Sequence, residues 1–109
     1  MLRAIFGSDK KGKILLYLYT NGESYPREIA KIFSFYLNGV QKHLLNMERD
    51  SILYSKFKGK VRLFGLNPRY PFKRELELLL EKILKFIPQE EKEKFYLPRL
   101  SPRRTAKPP

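Results

Sequence analysis

Residues 25–64, YPREIAKIFSFYLNGVQKHLLNMERDSILYSKFKGKVRLF, read as a helix, a tight turn, a second helix and a two-stranded hairpin with a basic tip. Pro26 suits the first helical position, where its missing N–H would be unpaired in any case, and Arg27 to Phe33 continue the helix. In the second helix, about Leu37 to Arg49, Leu37, Val40, Leu44 and Met47 fall at helical spacing and form one apolar stripe. Asn38, Gln41, Lys42, Asn46 and Arg49 are left on the other side. Amides pair bidentately with adenine, and lysine reaches guanine or the backbone, so this face has the chemistry that base edges and phosphates require.

After the second helix, Ile52, Leu53, Tyr54 and Phe57 make one strand and Val61, Leu63, Phe64 and Leu66 the next. Lys58-Gly59-Lys60 joins them, with Gly59 free to take the positive φ of a tight hairpin. Alternation puts Lys56 and Lys58 on one face of the first strand, and Lys60 and Arg62 on one face of the second. This cationic wing suits phosphates or an adjacent minor groove, though charged edges also guard sheets against aggregation.

The net charge of +12 over 109 residues is unevenly spread. Residues 53–70 hold five basic groups and no acidic one, 1–22 carry +3 and 98–109 carry +4, while 23–52 and 71–97 balance. The excess surrounds the helix-turn-helix pattern, which points to a polyanion, since each cation set on a phosphate releases condensed counterions.

Upstream, Leu2, Ala4, Ile5 and Phe6 form a short apolar patch, and Ser8 or Asp9 can cap a helix over about Asp9 to Tyr19. Ile14, Leu15, Leu18 and Tyr19 face its core. Lys10, Lys11 and Lys13 near its start oppose the helix dipole and suggest an outside partner. Asn21-Gly22 ends it. Downstream, Asn67-Pro68 and Tyr70-Pro71 break the chain before a helix from Phe72 to about Phe86. Its stripe of Phe72, Leu76, Leu79, Leu80, Ile83 and Ile87, widened by Leu78 and Leu84, exceeds what one small core can cover. A short helix is expected over Gln89 to Phe95, and the tail PRLSPRRTAKPP is too polar and proline-rich to pack.

Ala30, Ser34 and Val40 mark the turn between the central helices, where a small residue is needed at Ala30. Here the sequence resembles winged helix-turn-helix regulators of the ArsR and MarR type, over about Leu2 to Phe86. The stretches IFGSDKKGKILLYLYTNGESYPREIAKIF (5–33) and GVQKHLLNMERDSILYSKFKGKVRLFGLNPRYP (39–71) and the leucine-rich helix carry the resemblance. It is closest to small winged-helix modules found alone or fused to nucleotidyltransferase domains. Three positions depart from the pattern: Ser34 stands where glycine is usual, Tyr36 is a poor N-cap, and Gly39 weakens the second helix. Phe33, Phe35 and Tyr36 are read as core and interface groups.

The resemblance implies a mainly α fold with a small β-hairpin wing (α+β) and an added C-terminal helix. The domains are expected to be a DNA-binding winged helix-turn-helix over 1–70, dimerisation helices over 71–96 and a disordered basic tail over 97–109. The function it implies is a sequence-specific double-stranded DNA-binding transcription regulator acting as a homodimer on a palindromic site. Asn38, Gln41, Lys42 and Asn46 would read the major groove from helix 37–49. Lys56, Lys58, Lys60 and Arg62 would hold the backbone or minor groove. A second reading is a protein-interaction module that holds a separate nucleotidyltransferase or a transcription-machinery subunit.

Catalysis finds little support. The chain has no cysteine and one histidine, His43, which excludes thiolate metal sites and disulfides. No glycine pattern cradles a phosphate. No enzyme activity, cofactor or metal is expected. The longest apolar run, Ile14 to Tyr19, is too short for a bilayer, so no membrane partner and a cytoplasmic location are expected.

Overall fold

The structure, a computed structural model, describes residues 1–97; of the tail expected over 97–109, all but Leu97 lies outside the described residues. Six helices and one antiparallel hairpin follow one another as α1 (Leu2–Phe6), α2 (Asp9–Asn21), α3 (Pro26–Phe33), α4 (Leu37–Arg49), β1 (Leu53–Lys58), β2 (Val61–Leu66), α5 (Lys73–Leu84) and α6 (Gln89–Glu91). A π-helical turn, Lys92–Tyr96, continues α6. The mainly α architecture with a small β wing is the one the sequence implies.

Helix α2 is the centre of the core. Ile14, Leu15, Leu16, Tyr17 and Leu18 are all buried, and five consecutive residues cover more than a full turn. The helix is therefore enclosed on every side, by α1, β2, α5 and the π-helical turn. Ser8 caps it, its hydroxyl accepting the Lys11 backbone N–H at 3.2 Å. Helix α1, which the sequence shows only as an apolar patch, rests on α2 at Gly12. A Cβ there would lie 2.9 Å from both Leu2 Cβ and Phe6 Cδ2.

The helix-turn-helix forms as the apolar stripe dictates. Val40, Leu44 and Met47 of α4 are buried with Ile29 and Ala30 of α3. Ser34 takes the left-handed conformation, φ 58° and ψ 41°, so the serine adopts the angle that glycine usually supplies and the turn does not shift. The Phe35 N–H then reaches the Ala30 carbonyl at 2.9 Å and the Ser34 N–H the Lys31 carbonyl at 3.4 Å. This double bond pattern ends a helix cleanly. Helix α4 closes the same way around Ser51, φ 68°, with Ile52 N–H on the Met47 carbonyl and Ser51 N–H on that of Glu48, both at 2.9 Å. Tyr36 precedes α4 and provides no side-chain cap, as its chemistry requires.

The hairpin pairs Leu53 with Leu66 through to Lys58 with Val61, leaving Gly59-Lys60 as a two-residue loop. Gly59, at φ 65°, sits at the first central position, where a twist-matched turn calls for a positive angle. Ser24 adds an isolated bridge to β2, its N–H on the Phe64 carbonyl at 3.0 Å and its carbonyl accepting the Phe64 N–H at 2.8 Å. The base of the hairpin is thereby tied to the segment that opens α3.

Helix α5 joins this same core instead of forming a second one. Its Leu80 and Ile83, and Ile87 just beyond it, are buried in one cluster with the α2 residues. The π-helical turn, where a short regular helix was expected, also returns to the helix-turn-helix. Phe95 stacks on Phe33 at 4.7 Å between centroids, and Phe33 stacks on Phe35 at 5.2 Å. The Asn21 amide donates to the Phe95 carbonyl at 3.2 Å. Tyr96 is buried, and its hydroxyl has no hydrogen-bond partner among the described residues. Burial pushes its pKa well above the usual phenol range.

Candidate nucleic-acid interface

The packing of α4 through Val40, Leu44 and Met47 turns its opposite side to solvent. Asn38, Gln41, Lys42 and Arg49 are exposed and Asn46 is half-buried. Together with Leu45 they line one shallow surface along the helix. That surface has no carboxylate. Arg49 donates to the Asn46 amide oxygen at 3.1 Å, which fixes the orientation of that amide. Gln41 also lines a cleft of about 300 Å³ with Pro26, Leu45, Arg62 and Phe64, so the exposed side of α4 continues into the base of the hairpin.

The wing separates its four cations into two kinds. Lys56 pairs with Glu23 at 3.1 Å, and the Tyr54 hydroxyl donates to the same carboxylate. That hydrogen bond is the main cause of a lowered Glu23 pKa, while burial, then Glu23, push Tyr54 up to about 12. Arg62 turns the other way. It lies across from Phe57 in the register and donates to Glu48 of α4 at 2.8 Å and to the Ser55 hydroxyl at 3.1 Å. Its guanidinium also lies over the rings of Phe57 and Phe64, at 5.7 and 5.2 Å. Arg62 thus braces the hairpin against α4. Lys58 and Lys60, both exposed at the tip, form no salt bridge among the described residues.

The sequence alone groups Arg62 with the free cations, because its partner Glu48 lies 14 positions earlier, beyond any local pattern. Phe33, Phe35 and Tyr36 are expected from the sequence as core and interface groups. Phe33 and Phe35 do stack in the core edge, but Tyr36 is 86% exposed at the start of α4. Its position as the N-cap, where the chain is still extended, was the available signal.

No protein-family model matches the chain, and no curated protein does either. Solved structures do match. MepR, a transcription regulator of the Staphylococcus aureus multidrug efflux pump MepA, superposes with a TM-score of 0.60 at 20% identity, over 85% of this chain and 75% of that one. The fold is that of the winged-helix regulators. Transcriptional regulator Tm0710 from Thermotoga maritima gives a TM-score of 0.58 at 18% identity, over 97% of this chain and 78% of that one. A variant of ZitR from Lactococcus lactis gives 0.54 at 18% identity over 79% of this chain, which spans 66% of that protein. MepR and Tm0710 are transcription regulators. At 18–20% identity the likeness carries the fold, and neither the ArsR type nor the nucleotidyltransferase-linked modules of the sequence resemblance have a counterpart among these three. Among the described residues, no helix is long and apolar enough to cross a membrane.

Proposed function

We propose that this protein is a sequence-specific double-stranded DNA-binding transcription regulator that acts as a homodimer. The observation that carries this reading is the carboxylate-free surface along the outer side of α4, whose Gln41 also shares a cleft with Lys60 of the hairpin tip, on a winged-helix fold. In this geometry the N-terminal part of α4 enters the major groove, where Asn38, Gln41, Lys42 and Asn46 face base edges. Lys58 and Lys60 meet the backbone or the flanking minor groove. Lys56 and Arg62 take the lesser part, because each is engaged by a carboxylate of its own chain.

Gln41 is the sharpest test of base reading, since a neutral amide adds little to general electrostatic attraction. On a site obtained by selection from random duplexes, Gln41→Ala is expected to lose about 1–3 kcal/mol while its affinity for random duplex stays nearly constant. Equal losses on both duplexes would remove Gln41 from the reading surface.

The homodimer rests on apolar surface that the core leaves uncovered. Phe72, Leu79 and Phe86 recur every seven residues along α5 and its exit, and are 62%, 37% and 67% exposed. With Leu78, 54% exposed, they leave large apolar side chains in solvent along and at both ends of the helix that supplies the buried Leu80 and Ile83, and exposed apolar groups gathered on one element mark an association site. Light scattering at micromolar concentration is expected to give about twice the monomer mass of 13.0 kDa. Leu79→Glu with Phe86→Glu should shift it towards the monomer and leave the helical content intact. A monomer in the unmodified protein would sink the dimer.

A further inference from the structure

A second cationic surface lies on the other flank of α4, away from the wing. With about 100° of rotation per residue, Gln41 and Glu48 share the flank that meets the hairpin, and His43 lies roughly 140–160° around the helix from them. On the His43 flank stands the first turn of α2. Lys10 of that turn holds its ammonium 5.4 Å from the centre of the Phe35 ring, in the turn between α3 and α4. Lys10 is exposed and Lys11 half-buried, and Lys42 projects from α4 beside His43. None of these three lysines forms a salt bridge among the described residues, whereas Lys13, on the same helix, pairs with Asp9 at 3.4 Å. Lysines at the second and third positions of a helix stand against the positive end of its dipole, so they cost stability in the free protein. An anion bound there would relieve both the mutual repulsion and the dipole term.

We propose that Lys10 and Lys11 form a phosphate-binding surface that grips the DNA backbone on the side of the major groove opposite the wing, with Lys42 between them and the base-reading face of α4. This rests on the reading of α4 as the groove-entering helix. A helix in a major groove has a phosphate strand on each side, and the wing tip can serve only one of them. The first turn of α2 is where the other strand passes. His43, the one histidine of the chain, reports on this surface. Burial first, and then the charges of Lys11, Lys10 and Lys42, hold its pKa below the ordinary value. The charged groups that bear on it are Lys10 and Lys11 from α2 and Lys42 from its own helix.

The test uses the full chain with a random-sequence duplex and follows two readouts: the salt dependence of affinity and the His43 ring resonances across pH. In the unmodified protein, duplex binding is expected to raise the His43 pKa, because phosphates offset the lysine charges. Lys10→Gln with Lys11→Gln is expected to make the slope of log affinity against log salt shallower by about 2 per subunit. It should weaken binding at 0.15 M salt by about 30-fold for each subunit bound. The melting temperature of this variant should hold or rise, since two charges opposing the dipole are gone; loss of binding with gain of stability excludes simple misfolding. If the variant keeps the unmodified slope and the duplex still moves His43 as before, this surface makes no backbone contact, and the wing and α4 reading survives. If the unmodified protein shows no salt-dependent duplex binding, both readings fall together.

Discussion

Replacing Lys58 and Lys60 together by alanine is expected to weaken binding to every duplex by on the order of 10²–10³-fold in a dimer at 0.15 M salt. Neither ammonium group forms a salt bridge among the described residues, and Lys58 acts on Glu23 only through space, so neither must break an ion pair to meet a phosphate. Two contacts in each of two subunits would flatten the slope of log affinity against log salt by about 3.6. Because phosphates carry no sequence information, the preference for a selected site over random duplex should stay where it was. Lys56→Ala should cost less, since Lys56 already neutralises Glu23 and its removal leaves that carboxylate to the Tyr54 hydroxyl. A slope unchanged in the double variant would return the tip to a role in solubility.

Leu44→Ala should have the largest effect on stability. Leu44 is fully buried on the inner stripe of α4, in the same apolar cluster as Ile29, Met47 and Leu53. Removing three carbons there forfeits their transfer free energy and leaves a cavity, about 2–5 kcal/mol in all. Since the total stability of a domain this size is about 5–15 kcal/mol, the loss is a large share of it. The expected shift is a melting temperature lower by at least about 8 °C, at roughly 4–8 °C per kcal/mol. The outer side of α4 is untouched by this change. DNA affinity should therefore fall only in proportion to the folded fraction and recover on moderate cooling, which separates it from Gln41→Ala. A melting temperature within about 2 °C of the parent would mean that Leu44 is not the packed centre of this helix.

The parts of the fold fixed by short-range pattern were legible in the residues. Pro26 opens α3, the stripe from Leu37 to Met47 gives α4 its bounds, and Gly59 closes the hairpin. Parts that depend on distant segments were not. Helix α1 has only five residues, too few to hold a helix by itself, and exists because Gly12 admits it against α2. The serines at 34 and 51 take left-handed angles that their sequence does not favour, held there by α3 and α4 at Ser34 and by α4 and β1 at Ser51. For the candidate site, the outer face of α4 follows from periodicity alone. The division of the wing cations into braced and free does not, because Glu23 and Glu48 reach them only after the chain has folded.

The return of Phe95 and Tyr96 to α2 and α3 sets an order on how the chain comes to rest as it is made. The helix-turn-helix and hairpin are complete in sequence by Leu66, but one side of α2 is covered by Leu80, Ile83, Ile87 and Tyr96. Synthesis at about 5–20 residues per second leaves that side open for a few seconds after β2 has been made. During that interval the nascent chain presents Leu, Ile and Tyr surface beside a lysine-rich hairpin, an arrangement to which chaperones and polyanions can both bind. The elements proposed to hold DNA therefore emerge from the ribosome before the residues that finish their support.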